Sequence, residues 1–408
     1  MTHVVAYFQV HQPWRLRRLS WLEQRPGTDC IDTALNRRIL RKVAARCYLP
    51  ATRLLERMVK ASGGAFRCAF SLSGTALDQL QRHAPAALEA FQRLAATGAV
   101  EFLAETSHHS LAALADSAEF EAQVQAHAAR IEALMGRRPT TFRNTELIIS
   151  REVAAAAARL GFTALLGEGA ERLLGGRPAT TPYRVPGAPG LRLLLRSYRL
   201  SDDIAFRFAD RGWSQWPLDA ATFAGWLAAA APLPAGGPEP MVGLFMDYET
   251  LGEHQDAATG ILAFLEALPA QVARHPHLAF RTPSEVARAA RRAPPLALGE
   301  PVSWADQERD LSAWLGNHMQ QAAHAALYDL LPAVRARGDA RLLEDWRRLS
   351  TSDHTYYMST KHLADGDIHR YFSPYPSPHE AYVTYMDALD HLAVRVGATR
   401  PRPAARRA

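Results

Sequence analysis

The chain has 408 residues, of which 48% are hydrophobic and 22% charged, and its formal net charge at pH 7 is +6. A chain of this length can bury a large core and exceeds one ordinary domain, and no apolar run approaches the ~20 residues that a membrane-spanning helix needs. These properties exclude a membrane protein and predict a globular protein with one large and one smaller domain.

The first part of the chain alternates short apolar strands with Ala/Leu-rich helical stretches. Strand after helix in repetition predicts a parallel sheet, and seven or eight such repeats predict that the sheet closes into a barrel. A doubly wound open sheet is the structural alternative, but no glycine-rich nucleotide-binding loop follows any strand. The predicted strands are residues 4–10, 66–72, 100–103, 141–143, 163–166, 191–195, 242–246 and 278–281, with helices at residues 85–96, 118–135 and 151–160.

A proline-rich stretch at residues 293–301 predicts a linker, after which the pattern is helical only. Ser303 is a candidate N-cap for a helix that buries Leu311, Trp314 and Leu327 on one face. Further helices are predicted at residues 340–349 and 379–396. We therefore predict a barrel at residues 1–294, a helical domain that closes its cleft at residues 295–396, and a basic, structureless tail at residues 397–408.

The charged residues, the cysteines and the N-terminal sequence bear on possible binding partners and on the cellular compartment. Without a basic stripe carrying interleaved aromatic residues, binding to nucleic acid is not indicated. Cys30, Cys47 and Cys68 are odd in number and lack C-x-x-C spacing, which argues against a disulfide framework and a zinc ribbon. Since the N-terminus enters a strand without a basic leader, we expect a cytoplasmic protein.

Polar residues gather where predicted strands end. His11 and Trp14 follow the first strand, residues 105–109 (ETSHH) the third, Glu146 the fourth, and residues 247–254 (DYETLGEH) a buried run. The carboxyl ends of barrel strands are where such enzymes build their active sites. Purely structural roles are the alternative, because Glu146 could stabilise the N-terminus of a helix and His11 could be an ordinary loop residue.

A pair of carboxylates from different strands of one barrel is typical of glycosidic bond cleavage, in which one group protonates the leaving oxygen. Aromatic rings offer flat faces for sugars, and the candidates are Trp14, Tyr248, Trp314, Tyr356 and Tyr357. Glu249 and His254 complete the polar set after the seventh strand. This chemistry needs no cofactor, and no helix carries the spaced histidines that would predict a metal site.

Four ordered regions give the chain a family resemblance. Residues 11–13 (HQP), 142–148 (FRNTELI), 247–255 (DYETLGEHQ) and 352–358 (SDHTYYM) resemble the signature regions of glycoside hydrolase family 57. That family contains α-amylases, 4-α-glucanotransferases, glycogen branching enzymes and amylopullulanases. The resemblance covers most of the chain and is nearest to the shorter α-amylase-type members.

The resemblance implies a distorted (β/α)7 barrel followed by a helical region, and a retaining mechanism on α-glucans such as malto-oligosaccharides. It implies Glu146 as the nucleophile and Asp247 as the acid/base. It further implies sugar contacts, which are His11, His108 or His109, Asp353 and His354.

Alternatives stay open at the level of sequence. Phe142 stands where many family members have Trp, and the fifth region lacks the Trp-rich lead-in of the transferases, so hydrolysis and glycosyl transfer are not separated. A glucan-binding protein that has lost its chemistry is a second hypothesis, and a metal-dependent, deacetylase-like hydrolase is a third. The oligomeric state is not predicted.

Overall fold

The computed structural model of the protein describes residues 1–19, 28–231, 237–361 and 372–398. All but the first two residues of the predicted tail, residues 397–408, lie outside this part of the chain. In the described residues no helix combines the length and the apolar character needed to cross a bilayer.

Seven parallel strands form the central sheet of a (β/α)7 barrel. Neighbouring strands along the sheet follow the order β3, β2, β1, β8, β7, β5 and β4. A bridge between Ala104, just after β3, and Phe142 in β4 joins the two ends of this path. The strands are β1 Thr2–Val10, β2 Cys68–Leu72, β3 Val100–Phe102, β4 Thr141–Arg143, β5 Ala164–Glu168, β7 Ala188–Arg196 and β8 Met241–Asp247.

Four smaller strands complete the described β-structure. The edge strand β6 (Tyr183–Val185) pairs with β7 in the antiparallel direction, and β11 (Leu278–Phe280) pairs with the start of β1. The short strands β9 (Leu251–Gly252) and β10 (Gln255–Asp256) pair with each other. All eight predicted strands are confirmed within a few residues, whereas β6, β9 and β10 carry no run long enough to predict them.

Both faces of the central strands are buried, in two different cores. Along β1, Val4, Phe8 and Val10 face the surrounding helices, whereas Val5 and Tyr7 face the inside of the barrel. Successive side chains of a strand point to opposite faces, and a parallel sheet covered by helices has no solvated face. This explains why the strands read as continuous apolar runs.

Helices alternate with the strands and then continue alone towards the C-terminus. The predicted helices at residues 85–96, 118–135, 151–160, 340–349 and 379–396 are confirmed to within one residue at each end. The helices are α1 Thr33–Val43, α2 Leu49–Ala61, α3 Gly74–His83, α4 Pro85–Ala96, α5 Ser117–Met135, α6 Arg151–Arg159, α7 Glu171–Leu174, α8 Tyr198–Asp202, α9 Ala220–Ala230, α10 Ile261–Val272, α11 Pro283–Ala289, α12 Ser312–Leu315, α13 His318–Ala336, α14 Ala340–Leu349, α15 Asp353–Tyr356 and α16 Pro378–Val396.

The single long helix predicted after Ser303 is wrong. The chain forms the one-turn helix α12, breaks at Gly316 and Asn317, and starts again as α13. The Asn317 side chain accepts a hydrogen bond from the Gln320 backbone N–H, and the Gln320 side chain bonds back to the Asn317 backbone. This capping box fixes the start of α13, because it satisfies backbone donors that the first helical turn leaves without partners.

The chain divides into two compact units. Of the residues that the structure describes, those within 1–12, 37–107 and 120–304 form the barrel unit, and those within 13–36, 108–119 and 305–398 form the helical unit. The helical unit has its own core, to which Trp14, Leu16 and Ile31 contribute from the first of its segments and Trp346 and Leu389 from the last. The predicted boundary at residue 294 and the closing of the cleft stay predictions.

Candidate active site

Each of the seven parallel strands carries, at or just after its C-terminal end, one polar side chain that points into the barrel. Each lies on a strand or up to three residues beyond it, on the face shared with Tyr7, Leu103, Leu194 and Phe245 of the inner core. Strand alternation therefore gathers residues that lie far apart in the sequence. We call this set the inner polar ring, which consists of Gln9, Ser71, Glu105, Arg143, Glu168, Arg196 and Asp247.

One side of the inner polar ring is a hydrogen-bonded network. The Tyr7 hydroxyl donates to Gln9 Oε1 at 2.7 Å and lies 2.6 Å from Ser71 Oγ, while Gln9 Nε2 donates to Glu105 Oε1 at 3.1 Å. Burial raises the pKa of Tyr7, against the effect of the nearby Arg143 cation. Tyr7 thus stays a neutral donor that fixes Gln9 and, through it, Glu105.

Glu146 follows β4 in an unusual backbone conformation. Its φ is 56° and that of Leu147 is 50°, so two consecutive non-glycine residues are left-handed. Such residues cost of order 1–3 kcal/mol each and persist where the surrounding structure holds them. Glu146 is partly exposed, in contrast to the buried residues on either side of it.

Trp304 holds Glu146 through two hydrogen bonds. The indole Nε1–H donates to Glu146 Oε2 at 2.7 Å, and the Trp304 backbone N–H donates to the Glu146 carbonyl oxygen at 3.2 Å. Two residues earlier, Val302 forms a bridge with Ile149. Residues 302–304 therefore lie alongside the chain that carries Glu146, whereas the sequence predicted a linker up to residue 301 and a helix after Ser303.

Arg143 is a buried cation beside this pair. Its guanidinium carbon lies 4.8 Å from the centroid of the Trp304 ring, and that of Arg196 lies 5.9 Å away. Arg196 is paired with Glu168 at 3.1 Å and with Asp202 at 2.5 Å. The three guanidinium nitrogens of Arg143, by contrast, are shielded from solvent and have no hydrogen-bond partner in the described part of the chain.

At the end of β8, Asp247 and Tyr248 point to opposite faces of the strand. Asp247 is partly exposed at the inner polar ring, whereas Tyr248 is fully buried in the core between the strands and the surrounding helices, which we call the outer core. The Tyr248 ring packs against Phe70 at 4.9 Å between centroids, and its hydroxyl lies 2.9 Å from Thr52 Oγ1. In this structure Tyr248 therefore offers no ring face to a ligand, although the sequence suggested it as a sugar contact.

Glu249 also lies in the outer layer. The Tyr48 hydroxyl donates to its Oε1, and Gln12 Nε2 approaches the same oxygen at 3.4 Å. Burial, reinforced by the nearby Asp247 charge, raises the pKa of Glu249 to about 8. Glu249 is therefore protonated at neutral pH.

The two histidines predicted in the barrel occupy different settings. His11 is partly exposed, and its Nδ1 lies 2.7 Å from the Oγ of Ser73, the N-cap of α3. Burial lowers the pKa of His254 to about 4, against the opposing effect of Glu253. At neutral pH, His254 is therefore an uncharged ring in the loop that follows β8.

Two tryptophans predicted to stack on sugars belong to the helical unit. Trp14 and Trp314 are each about 1% exposed. The guanidinium carbon of Arg348 lies 5.5 Å from the Trp14 ring centroid, and the Trp314 ring lies 6.3 Å from that of Tyr356. Both rings are core side chains in this structure.

The four remaining predicted residues also lie in the helical unit. His108 Nε2 lies 3.3 Å from Glu344 Oε1. Burial alone would raise the pKa of Glu344, but His108 and the nearby Arg348 hold this pKa at about 2. His109 is a left-handed residue, with φ 51°, whose carbonyl oxygen accepts from the Ser352 N–H. In the same unit, His354 Nε2 lies 3.1 Å from the Arg348 carbonyl oxygen, and Tyr357 donates to Asp353 Oδ1 at 3.4 Å.

Sequence reasoning missed Arg143, Tyr7 and Trp304. The first two sit at inward positions of β4 and β1, which were correctly predicted, but a strand that is buried on both faces does not show in its sequence which side chains point inward. Trp304 lies at the start of the helix predicted after Ser303, and nothing local to it points to Glu146. In the described residues no three His, Cys, Asp or Glu side chains are grouped closely enough to hold a metal ion.

Comparison with known sequences finds two matches that cover most of the chain. The profile of glycosyl hydrolase family 57 matches residues 5–298. A Methanocaldococcus jannaschii protein described as "Putative alpha-amylase" is 37% identical over 396 residues, which cover 94% of this chain and 82% of that protein.

Solved structures show the same fold at low identity. The 4-alpha-glucanotransferase of Thermococcus litoralis superposes with a TM-score of 0.68 at 12% identity, and the match covers 96% of this chain but only 59% of that one. A GH57 branching enzyme of Thermococcus kodakaraensis gives a TM-score of 0.68 at 14% identity, with 97% and 90% covered. At these identities the likeness shows the fold alone.

Proposed function

Because the chain belongs to glycosyl hydrolase family 57, we propose that it is an α-amylase-like enzyme that cleaves α-1,4-glucans through a covalent glycosyl-enzyme. Membership makes it a glycoside hydrolase, and a retaining glycosidase is supported for the family as a whole. We further propose that the cleaved bond is α-1,4, that water is the acceptor, and that Glu146 and Asp247 are the two reacting carboxyl groups.

One observation carries the assignment of the two carboxylates. Of the inner polar ring and Glu146 together, only Asp247 and Glu146 are partly exposed, whereas Glu105, Glu168 and the other members are buried. The two exposed groups come from β8 and from the turn after β4, at the same end of one barrel. A glycosidase needs two carboxyl groups that both reach the sugar.

The proposed reaction proceeds in two displacements. A Glu146 oxygen bonds to the anomeric carbon as the glycosidic C–O bond breaks, and the Asp247 proton passes to the departing oxygen. A water molecule then gives its proton to Asp247 and bonds to the anomeric carbon, which releases Glu146 as a carboxylate. Since the configuration inverts twice, the product keeps the α configuration.

A sugar hydroxyl in place of water would make the same site a glucanotransferase. Two structural neighbours carry the names of a transferase and a branching enzyme, which supports keeping this alternative. The two outcomes differ only in the acceptor, so product analysis separates them.

The first test is incubation of the purified protein with maltoheptaose, followed by mass-resolved chromatography. Shorter oligosaccharides alone indicate hydrolysis, whereas longer ones as well indicate transfer. Glu146→Gln and Asp247→Asn should each lower turnover by at least about 100-fold, because each removes a group that takes part in bond making or proton transfer. Glu132→Gln is the matched control, since Glu132 is an exposed side chain paired with Arg138.

Azide rescue assigns the two roles separately. In Glu146→Gly, azide can take the place of the nucleophile and should give a β-glycosyl azide. In Asp247→Gly, azide needs no general base, so in the second step it can bond to the anomeric carbon in place of water as the bond to Glu146 breaks, and it should give the α anomer. Full activity of either variant would overturn the role proposed for that residue, whereas no products from the wild type on branched and unbranched glucans would support a binding protein instead.

A further inference from the structure

We propose that Trp304 is the positioning residue of Glu146 and that Arg143 acts through the Trp304 ring. The indole N–H fixes one carboxylate oxygen, and the cation beside the ring makes that N–H a stronger donor. This inference rests on the proposed function, in which Glu146 is the nucleophile. It adds two residues that no sequence pattern singled out.

Trp304 and its neighbours fix the backbone and the side chain of Glu146. Four hydrogen bonds join residues 302–304 to residues 146–149, namely the two bonds from Trp304 to Glu146 and the reciprocal pair between Ile149 and Val302 at 2.9 and 3.2 Å. One side-chain bond and three backbone bonds therefore hold the left-handed turn at Glu146. A side chain that must attack a carbon atom benefits from such fixation, because reaction depends on the approach geometry.

The hydrogen bond from Trp304 also acts on the charge of Glu146. The indole N–H donates to Glu146 Oε2 at 2.7 Å. A donor aimed at a carboxylate favours its ionised form, which is the form that attacks. The same donor helps the second displacement, because it stabilises the charge that returns to the carboxylate when the glycosyl bond breaks.

Arg143 carries a buried charge beside the Trp304 ring. A buried guanidinium without a hydrogen-bond partner is costly, and apolar residues often replace buried charges without loss of stability. Its nitrogens are shielded from solvent, so direct contact with a sugar would need the site to rearrange. The charge can act instead through the indole, 4.8 Å away, whose face attracts the cation while its N–H points at Glu146.

The test compares kcat/KM for maltoheptaose across pH in Trp304→Phe, Arg143→Met and the double variant. Trp304→Phe keeps a ring but loses the N–H, whereas Arg143→Met keeps the N–H but loses the charge. Each should lower kcat/KM by about 10- to 100-fold, the range for a hydrogen bond to a charged group, with the loss in kcat. The acidic limb of each profile should move to higher pH, because Glu146 would hold its proton more firmly.

Coupling and folding controls complete the design. The double variant should have a kcat/KM no lower than that of the less active single variant, because both substitutions act on the same carboxylate. Arg143→Lys should keep the acidic limb near its wild-type position, and Arg143→Met should unfold no earlier than the wild type. Trp226→Phe removes an indole that packs on Trp213 and Phe223 and should leave the profile unchanged.

The outcomes separate this inference from the proposed function. If Glu146→Gln retains turnover, the nucleophile assignment falls and the role of Trp304 falls with it. If Glu146→Gln is inactive while Trp304→Phe keeps the wild-type acidic limb, only the positioning role is overturned. Multiplying losses in the double variant would overturn the coupling of Arg143 to Trp304.

Discussion

At the scale of single residues, the titration of Glu249 links the site to stability. Burial raises its pKa to about 8, and Asp247 adds to the effect, whereas a carboxyl group in an unfolded chain titrates near ~4.3. Between these values the folded protein holds a proton that the unfolded chain has lost. Folding stability therefore falls as the pH rises through this window and levels off above about 8.

Glu249→Gln should remove this pH dependence. Glutamine cannot ionise, and its carbonyl oxygen can still accept the hydrogen bond from the Tyr48 hydroxyl. We expect the variant to match the wild type in thermal unfolding near pH 4 and to unfold at a higher temperature at pH 8 to 9. A difference between the two proteins that stays constant over this range would contradict the assignment.

The residues after β8 show what the sequence could and could not predict at this scale. Asp247, Tyr248 and Glu249 were all predicted as site residues, because a run of polar and aromatic groups directly follows a buried strand. Which of them faces the inside depends on strand phase, and the phase depends on how β8 registers with β1, where Asp247 pairs with Gln9. Local composition does not contain that register.

At the scale of elements, the junction of β7 with β8 depends on a glycine. The register pair between these strands is Arg196 with Gly243, and the Ser197 N–H donates to the Gly243 carbonyl oxygen at 2.8 Å. A Cβ at Gly243 would lie 2.5 Å from the Leu195 carbonyl oxygen and 2.9 Å from the Phe245 ring. The absence of a side chain therefore allows the two strands to approach.

Gly243→Ala should destabilise the barrel by about 1–3 kcal/mol, because a backbone oxygen cannot yield without separating β7 from β8. The control is Gly225→Ala in α9, where no atom lies within 4 Å of the added carbon. That variant should gain about 0.5–1 kcal/mol, since alanine is the better helix former. Urea unfolding midpoints measure both, and equal shifts in the two variants would refute the close-approach argument.

Elements were predicted well where one pattern sets them. The strand at residues 242–246 follows from a short apolar run, and α14 follows from its spacing of apolar residues. The closure of the sheet was predicted, but its place, at the bridge between Ala104 and Phe142, was not, because it is a contact between chain segments that are distant in sequence. Trp304 was missed for the same reason.

At the scale of the whole molecule, the helical unit is discontinuous in sequence. Its core combines Trp14, Leu16 and Ile31 with side chains of α13, α14 and α16. The predicted division at residue 294 described a barrel followed by a separate helical domain, whereas the contacts assign residues 13–36 and 108–119 to the helical unit and residues 295–304 to the barrel unit. An apolar cluster whose larger part is deleted leaves the smaller part exposed to water.

A chain that ends at Trp304 should therefore fail to form a stable monomer, although it contains every barrel strand. We expect soluble aggregates in size-exclusion chromatography with light scattering, and binding of a hydrophobic dye, because Trp14, Leu16 and Ile31 lose the partners that bury them. The control is a chain that ends at Ala398, which keeps every member of that core and should unfold like the full-length protein. A monomeric, cooperatively unfolding chain of residues 1–304 would show that the barrel unit folds without the helical one, and that the first segment finds other partners.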